Sequence, residues 1–592
     1  MRGASRIRLA VLSLAFVAAA RAQDQLQRVV KTEDAGAVRV GEVLPDLRLR
    51  PVNGRPRTLG ELCAGRRAVV LAMRSIGCPV SIRYGPRIAV AEDDFAARGV
   101  AFVYINCVDA DTDDEIRREA QELGFNGVAV ADRDGSLRRA LRPSTTTEVI
   151  VVDADRRVRY RGAVDDQYRV GGAAAKPKRS YLREALAAVL TGKDPEFRAT
   201  AAPGCLVDIP KGAREPDAAP PTALTYAGRI RGVLATHCTP CHTVGGEAPF
   251  SLETPGAIEG RARMIEAVLR GGLMPPNHGL RRESGPAAQV RDRTLPEDDL
   301  RDLLAWLRSP REVGEVTVTP VASSGTWRIG RPDGVVFTTP QQLKGDGPLR
   351  HGRFLVPLQN PGDMWVRAVE CRPAMPGSVH HALVWLLSPG EILPADEAVP
   401  SGRLLATYSP GEGLTEFVGG VPVRAGSVLV VDLYAERMDG DRHGTPQLRV
   451  AMRTTSERPA QEVELRVLAP DRLSIGAGES AGVIAERSLD RDATVVALTP
   501  CLRLRGTAVS VDAVAPDGAV TRLLDAASYD PRWRIRYEMP PGVRLAAGTV
   551  LRATARFDNT AENPSNPSAG APVRDGLGAD DEIMAVGAEL LP

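Results

Sequence analysis

Cys238-Thr239-Pro240-Cys241-His242 is the stretch with the most explicit chemistry in this chain. Two thiols on one side of a helical turn can add to the vinyl groups of a haem, and the adjacent histidine then reaches the iron as axial ligand. Half a zinc site or a disulfide would use the same cysteines, but no second C-x-x-C accompanies them. The sixth ligand is expected from Met274, in Leu273-Met274-Pro275-Pro276, with Met264, His278 and His237 as rivals. A thioether there raises the potential and suits electron transfer.

A second centre is Cys78, in Ser75-Ile76-Gly77-Cys78-Pro79-Val80-Ser81. Pro79 suits a first helical position, which puts Cys78 at a helix N-terminus, where the macrodipole lowers a thiol pKa. Ser81 stands where a C-x-x-C would have its second thiol, so a resolving thiol must come from Cys107, Cys205 or Cys63. Cys205, beyond the last helix of its domain, is the first choice, and Cys107, ending a strand, reads as a buried thiol. A permanent Cys78–Cys205 disulfide is the structural alternative. The third centre is His380-His381, ahead of the apolar run Ala382–Trp385. Neighbours on an ideal strand face opposite ways, so both bind one metal only at a twisted or bulged position.

The elements that must position these groups fall into three textures. In 41–195, strands are expected at Ala68–Met73 and Val100–Asn106, and a helix at Thr112–Leu123 with a Thr112/Glu115 capping box. A hairpin of Val149–Asp153 and Val158–Gly162 and a closing helix Arg179–Leu190 complete an α/β layer fold. Residues 196–222, with five prolines, read as a linker. Residues 223–310 read as a small all-α domain, with Glu297–Leu307 its clearest helix. From 312 the chain reads as all-β. Leu551, Ala553, Ala555 and Phe557 alternate with polar residues, Val428–Leu433 and Thr494–Leu498 are further strands, and Pro516-Asp517-Gly518 is a turn. That length suits two sandwiches, at 312–455 and 456–592.

Three resemblances follow. Residues 41–195 resemble the thioredoxin-like redoxin and peroxiredoxin group around Cys78. They depart from it at Ser81, at Ser75 where peroxiredoxins usually carry Thr, and at Thr147 where a cis-proline is usual. The stretch from Cys238 to Met274, with Gly245–Phe250 and Met-Pro-Pro, resembles small c-type cytochrome domains. Val379–Trp385, Gly426–Tyr434, Leu504–Gly506, Asp558–Pro564 and Asp580–Met584 resemble the copper type II, ascorbate-dependent monooxygenases, which implies a jelly-roll-like double sandwich with one copper in each half. Carried over residue by residue, most of that ligand set is missing. His380 and His381 are present, but the expected His-Tyr is Leu433-Tyr434, Pro-His-x-His is Pro500-Cys501-Leu502-Arg503, and the later Met falls at Ile583, with Met584 one residue off. His443, His351, Met438 and Met375 are the spare ligands for a residual copper site, and a Cys371–Cys501 disulfide is a further expectation.

Arg2, Arg6 and Arg8, the apolar run Leu9–Ala20 and Ala20-Arg21-Ala22 read as a secretory signal over 1–22, so the mature chain is expected in the periplasm or outside the cell. Its removal turns the formal charge of +2 into −2, which leaves no field to attract nucleic acid or an anionic membrane. No later stretch is apolar for the ~18 residues of a membrane span. The expected activity is electron transfer through a covalent haem c, with redox proteins or a small electron donor as partners. The alternatives are an oxidoreductase, using Cys78 or a copper site, and a non-catalytic binding scaffold.

Overall fold

A computed structural model describes residues 39–592 except 109–110, 170–171, 174–176, 208–213, 217–223, 245–247, 249, 260, 278–279, 281–284, 316–326, 340–342, 345–348, 376–377, 392, 394–397, 401, 437–445, 532, 561–562, 564–565, 567 and 579. The expected signal, 1–22, and the spare ligands His278, Met438 and His443 lie outside the described residues. The chain divides into two compact units, one of residues 29–275 and 295–317, the other mainly of 318–592 together with 276–294.

The first unit opens with a five-stranded sheet of β1 (Ala68–Arg74), β2 (Val100–Asn106), β3 (Val128–Ala131), β4 (Val149–Asp153) and β5 (Val158–Gly162), in the order β3-β2-β1-β4-β5. β1 is parallel to β2 and antiparallel to β4. All seven residues of β1 are buried, as a central strand covered on both faces requires. Val70, Ala72, Val149 and Val151 feed the core beneath α1 (Pro79–Ala96) and α4 (Tyr181–Leu190). Val69, Leu71, Met73 and Ile150 feed the opposite one, with α3 (Ser136–Leu141). Between β2 and β3, α2 (Asp113–Leu123) starts in the expected capping box and stops at Gly124, whose φ of 70° is left-handed.

The stretch 196–222, expected as a linker, belongs to this domain as far as Val207. The Thr200 hydroxyl accepts from the Ala163 N–H (3.0 Å), Ala199 bridges Arg161, and Leu206 bridges Thr145. These contacts make residues 199–207, with Pro203 among them, a strap held by the domain rather than a free connector.

The helical part of the unit contains a π-helical turn Tyr226–Ile230, α5 (Arg231–His237), α6 (Pro255–Glu259), α7 (Ala262–Arg270) and α8 (Glu297–Arg308). Ile230, Leu234, Ile265, Leu269, Leu303 and Trp306 share one core. Residues 276–294, expected inside the all-α domain, instead pair with the β unit: Leu280 bridges Ala526, Arg291 bridges Glu538, and Val290 enters that unit's core.

The β unit holds four four-stranded antiparallel sheets. The first two combine β6 (Gly334–Phe337), β7 (Leu349–Pro357), β8 (Met364–Pro373), β9 (His381–Leu387), β10 (Arg403–Tyr408), β11 (Leu414–Val423), β12 (Val428–Glu436) and β13 (Leu448–Thr455), ordered β6-β13-β8-β11 and β7-β12-β9-β10 around a shared core. The other two use β14 (Glu464–Leu468), β15 (Ser480–Ser488), β16 (Ala493–Leu502), β17 (Gly506–Val514), β18 (Val520–Ala526), β19 (Tyr537–Leu545), β20 (Val550–Asp558) and β21 (Met584–Leu591), ordered β14-β21-β16-β19 and β15-β20-β17-β18. The expected Cys371–Cys501 disulfide is absent. Cys371 faces the first core, whereas Cys501 packs with Trp385, Leu404 and Ile583 in a separate apolar layer, and both are free thiols.

One carboxylate ties three strands of the first sandwich. Buried Asp432 on β12 accepts from Arg353 Nε (2.7 Å) and Nη2 (2.9 Å), pairs with His351 Nε2 (3.2 Å) and accepts from Trp385 Nε1 (3.0 Å). Burial pushes its pKa up, but the Arg353 and His351 contacts overcome that and hold it below the usual aspartate value. Asp432→Ala strands Arg353 in the interior and is expected to lower stability by ~3–5 kcal/mol, read as a fall in the urea midpoint of β-unit unfolding. The folded pKa is depressed, so the wild-type contribution is complete above the ordinary aspartate range and fades as pH falls through the folded value. An unchanged midpoint at pH 7 would show that the anchor is dispensable.

Candidate functional site

Pro79 opens α1 and leaves Cys78 as its N-cap residue, with extended backbone (φ −92°, ψ 117°) and 1% of its surface exposed. The loop before it is fastened by two backbone N–H groups. The Ser75 N–H donates to Ser81 Oγ (3.1 Å), and the Ile76 N–H donates to Asp111 Oδ2 (2.8 Å). The strap 199–207 brings the second sulfur. The Thr146 N–H donates to the Cys205 carbonyl (2.9 Å), the Val207 N–H to the Ser144 carbonyl (3.2 Å), and the Thr147 hydroxyl to the Pro203 carbonyl. Gly204, at φ 138°, lies against Thr147, where a Cβ would stand 3.0 Å from that side chain. Thr147 thus takes up the position expected for a cis-proline and uses its hydroxyl to hold the strap.

Among the cysteines offered by the sequence, the fold selects Cys205. Its thiol is the leading influence that lowers the Cys78 pKa to about 6, followed by Thr146 and the backbone amides of Ser81 and Cys205, against the effect of burial. Cys205, facing that anion, is held protonated. Cys63 and Cys107 lie in the core on the other side of the sheet, and burial pushes Cys107 up to about 12. The result is one nucleophilic thiolate beside one protonated thiol, which is the reduced state of a dithiol pair.

In the helical part, Cys238 caps the end of α5, and the N–H groups of Cys241 (3.2 Å) and His242 (2.9 Å) donate to its carbonyl. Both cysteines are free thiols, and Cys238 is pushed up to about 12 by burial. His242 Nδ1 lies 3.0 Å from the Phe250 carbonyl. A carbonyl only accepts, so Nδ1 carries the proton and Nε2 keeps its lone pair, the tautomer an iron ligand needs. Val244, Leu273 and Met274 are 78%, 52% and 39% exposed, apolar surface of the kind a porphyrin covers. The residues present therefore fit a covalent haem, with Cys238 and Cys241 as thioether donors and His242 as axial ligand. Met274 follows α7 with its side chain exposed, and the rival His237 is engaged by Asp299 (2.8 Å).

The copper expectation fares differently. His380 and His381 bring their Nδ1 atoms to 2.8 Å, and His381 stacks on Tyr434 with ring centroids 4.3 Å apart. Burial first, then the charges of Arg534 and Arg503, depress protonation of His381. The same charges repel a metal cation. Arg503 lies 4.6 Å over the Tyr434 ring, Leu433 is apolar and buried, and Met584 faces the second core. Among the described residues no group of three His, Cys, Asp or Glu side chains converges to hold a metal. Among the described residues the copper expectation rests on the His380–His381 pair alone, with His381 Nε2 buried and without a hydrogen-bond partner.

Residues 39–175 match the Redoxin family model, and the first part of the chain is a thioredoxin-like redoxin domain. Solved structures similar to the chain include a conserved protein from Geobacillus kaustophilus (26% identity, TM-score 0.27, covering 29% of this chain and 94% of that one). Others are a hypothetical protein from Sinorhizobium meliloti 1021 (27%, 0.27, 31% and 98%) and the peroxidoxin BcpB from Mycobacterium tuberculosis (18%, 0.20, 26% and 97%). No protein with a curated description matches the chain.

Alkylation of the reduced protein by iodoacetamide, followed at Cys78 by peptide mass, is expected to reach half its maximal rate near pH 6. Cys205→Ala removes the leading cause and is expected to move that midpoint up toward the ordinary thiol range of ~8.5. A midpoint unmoved by Cys205→Ala would mean that the neighbouring thiol does not stabilise the thiolate.

Proposed function

We propose that the protein is an extracytoplasmic oxidoreductase whose chemistry is the dithiol–disulfide cycle of Cys78 and Cys205. The observation that carries this reading is the strap that the Thr146 N–H to Cys205 carbonyl bond (2.9 Å) holds at the site of Cys78, the N-cap of α1, where the neighbouring Cys205 favours the Cys78 thiolate. The Cys78 thiolate attacks a sulfur of a small disulfide such as glutathione disulfide, which is the partner here, and the partner's distal sulfur leaves. Cys205 gives up its proton to the leaving thiolate and displaces the remaining partner sulfur from Cys78, which closes the protein disulfide. With a peroxide the attacked atom is oxygen, an alcohol or water leaves, and Cys205 condenses with the sulfenic acid to release water. The Redoxin match of residues 39–175 supports chemistry of this class.

A second reading rests on the His242 Nδ1 contact with the Phe250 carbonyl. In it, Cys238, Cys241 and His242 hold a covalent haem c, which supplies one-electron exchange with a redox protein or small donor. The Phe250 backbone carbonyl fixes the His242 ring and keeps Nε2 free of a proton. Among the described residues no helix is long and apolar enough to cross a membrane. Secretion guided by residues 1–22 is part of the proposal.

The test is peptide mapping of the full chain after export in a host that attaches haem c. One added equivalent of hydrogen peroxide or glutathione disulfide is expected to convert Cys78 and Cys205 into a linked peptide that dithiothreitol reopens, and Cys205→Ser to trap the intermediate on Cys78. A bridge that never reopens would reduce the pair to a structural disulfide. For the second reading, a pyridine haemochrome from wild type that vanishes with Cys238→Ala plus Cys241→Ala is expected. Its absence in wild type would remove the haem.

A further inference from the structure

The thiol pair and the C-x-x-C-H segment lie in the same compact unit, and one side chain lies against a neighbour of each, Gly77 beside Cys78 and Phe250 beside His242. Arg261, directly before α7, lies flat on Gly77, the residue preceding Cys78. A side-chain carbon at position 77 would stand 3.1 Å from Arg261 Nη2 and 3.5 Å from Nε, so glycine there leaves the guanidinium room that a larger residue would narrow by a few tenths of an ångström. Its positive charge reaches Cys205 and favours the anionic form of that thiol. On its other side the guanidinium carbon sits 5.1 Å above the Phe250 ring. Phe250 is the residue whose carbonyl holds His242 Nδ1, and the two rings lie 4.9 Å apart. Arg261 Nη1 donates to the Ala257 carbonyl (3.2 Å), which fixes the head group between the two centres.

We propose that Arg261 is a positioning residue that couples the redox state of the Cys78–Cys205 pair to the reduction potential of the group ligated by His242. The inference rests on both readings above, a cycling thiol pair and a haem at His242. Its physical content is electrostatic. In the dithiol state the Cys78 anion offsets the Arg261 charge. When the pair oxidises, the thiolate and the thiol lose two electrons and one proton as the Sγ–Sγ bond forms, and the anion disappears. The guanidinium charge is then uncompensated beside Phe250 and His242, and a neighbouring positive charge favours the reduced, less positive form of an iron centre. Coupling free energies are reciprocal, so a reduced centre at His242 favours the disulfide by the same factor. Electrons are therefore steered to occupy one centre or the other rather than both.

The experiment is optical redox titration of the full-length, haem-loaded protein. It is first held as dithiol by a phosphine reductant that is then removed, and then oxidised with diamide, which takes up the two electrons. Thiols are counted before and after each run. In wild type, disulfide formation is expected to raise the reduction equilibrium of the iron about tenfold, ~59 mV for one electron. The difference should vanish in Arg261→Ala, persist in part in Arg261→Lys, which keeps the charge without the planar fork, and be absent in Cys78→Ser. A wild-type potential indifferent to the thiol state overturns the coupling, and a full shift retained in Arg261→Ala overturns the role of Arg261. The same samples report the underlying readings separately. Loss of the covalent haem band, or no loss of two thiols with diamide, would overturn those readings and this proposal with them. Intact haem and an intact thiol cycle with no shift overturn this proposal alone.

Discussion

Two sulfurs share one buried site because the strap 199–207 folds back over Thr145–Thr147, and the redox chemistry read here depends on that return. A thiolate inside a protein is costly unless something replaces the water it loses. Here the Cys205 thiol, Thr146 and two backbone amides do so. The strap is held by the Ala199 and Leu206 bridges, the Thr200 hydroxyl and the Thr147 contact with the Pro203 carbonyl. Loosening any of them would leave Cys78 as an ordinary buried thiol, whose proton burial makes hard to remove, as at Cys107.

The parts of the fold that were legible in the sequence are those whose signal is local. The buried run at β1, the Thr112/Glu115 capping box, the hairpin of β4 and β5 and the alternation in β20 each follow from periodicity or capping, and each stands where it was expected. Cys78 at a helix N-terminus was equally local, since Pro79 marks it. The strap was not legible. Five prolines and several alanines read as a connector, because the groups that hold it, Thr145 to Thr147 and Arg161, lie far away in the chain. Residues 276–294 failed for the same reason, since their partners Ala526 and Glu538 are more than two hundred positions on. Arg261 carried no sequence signal, because its meaning lies in what a glycine at position 77 allows it to approach.

The β unit shows how charge can fill positions that the resemblance assigns to a metal. Glu582, fully buried, accepts the backbone N–H groups of Arg503 (3.1 Å) and Arg505 (2.7 Å). The Arg505 side chain goes on to Asn559 Oδ1 (2.8 Å) and the Asp580 carbonyl (2.8 Å). Arg534 donates to the Leu502 carbonyl (3.1 Å) beside them. A guanidinium is a permanent cation with donors in a fixed plane, so it can organise carbonyls and carboxylates in a dry interior without any ion. With Asp432 performing the same task in the first sandwich, this half has the character of a rigid framework.

Burial also restricts what can oxidise the thiol pair. Cys78 is 1% exposed, so a folded protein cannot bring its own disulfide to that sulfur without opening the site. Cys205 is the more accessible partner but is held protonated, and a thiol is a poor nucleophile. A small oxidant that diffuses to Cys78 meets neither obstacle. Burial of this depth therefore sorts oxidants by size, and the thiol pair is open to those small enough to diffuse to Cys78.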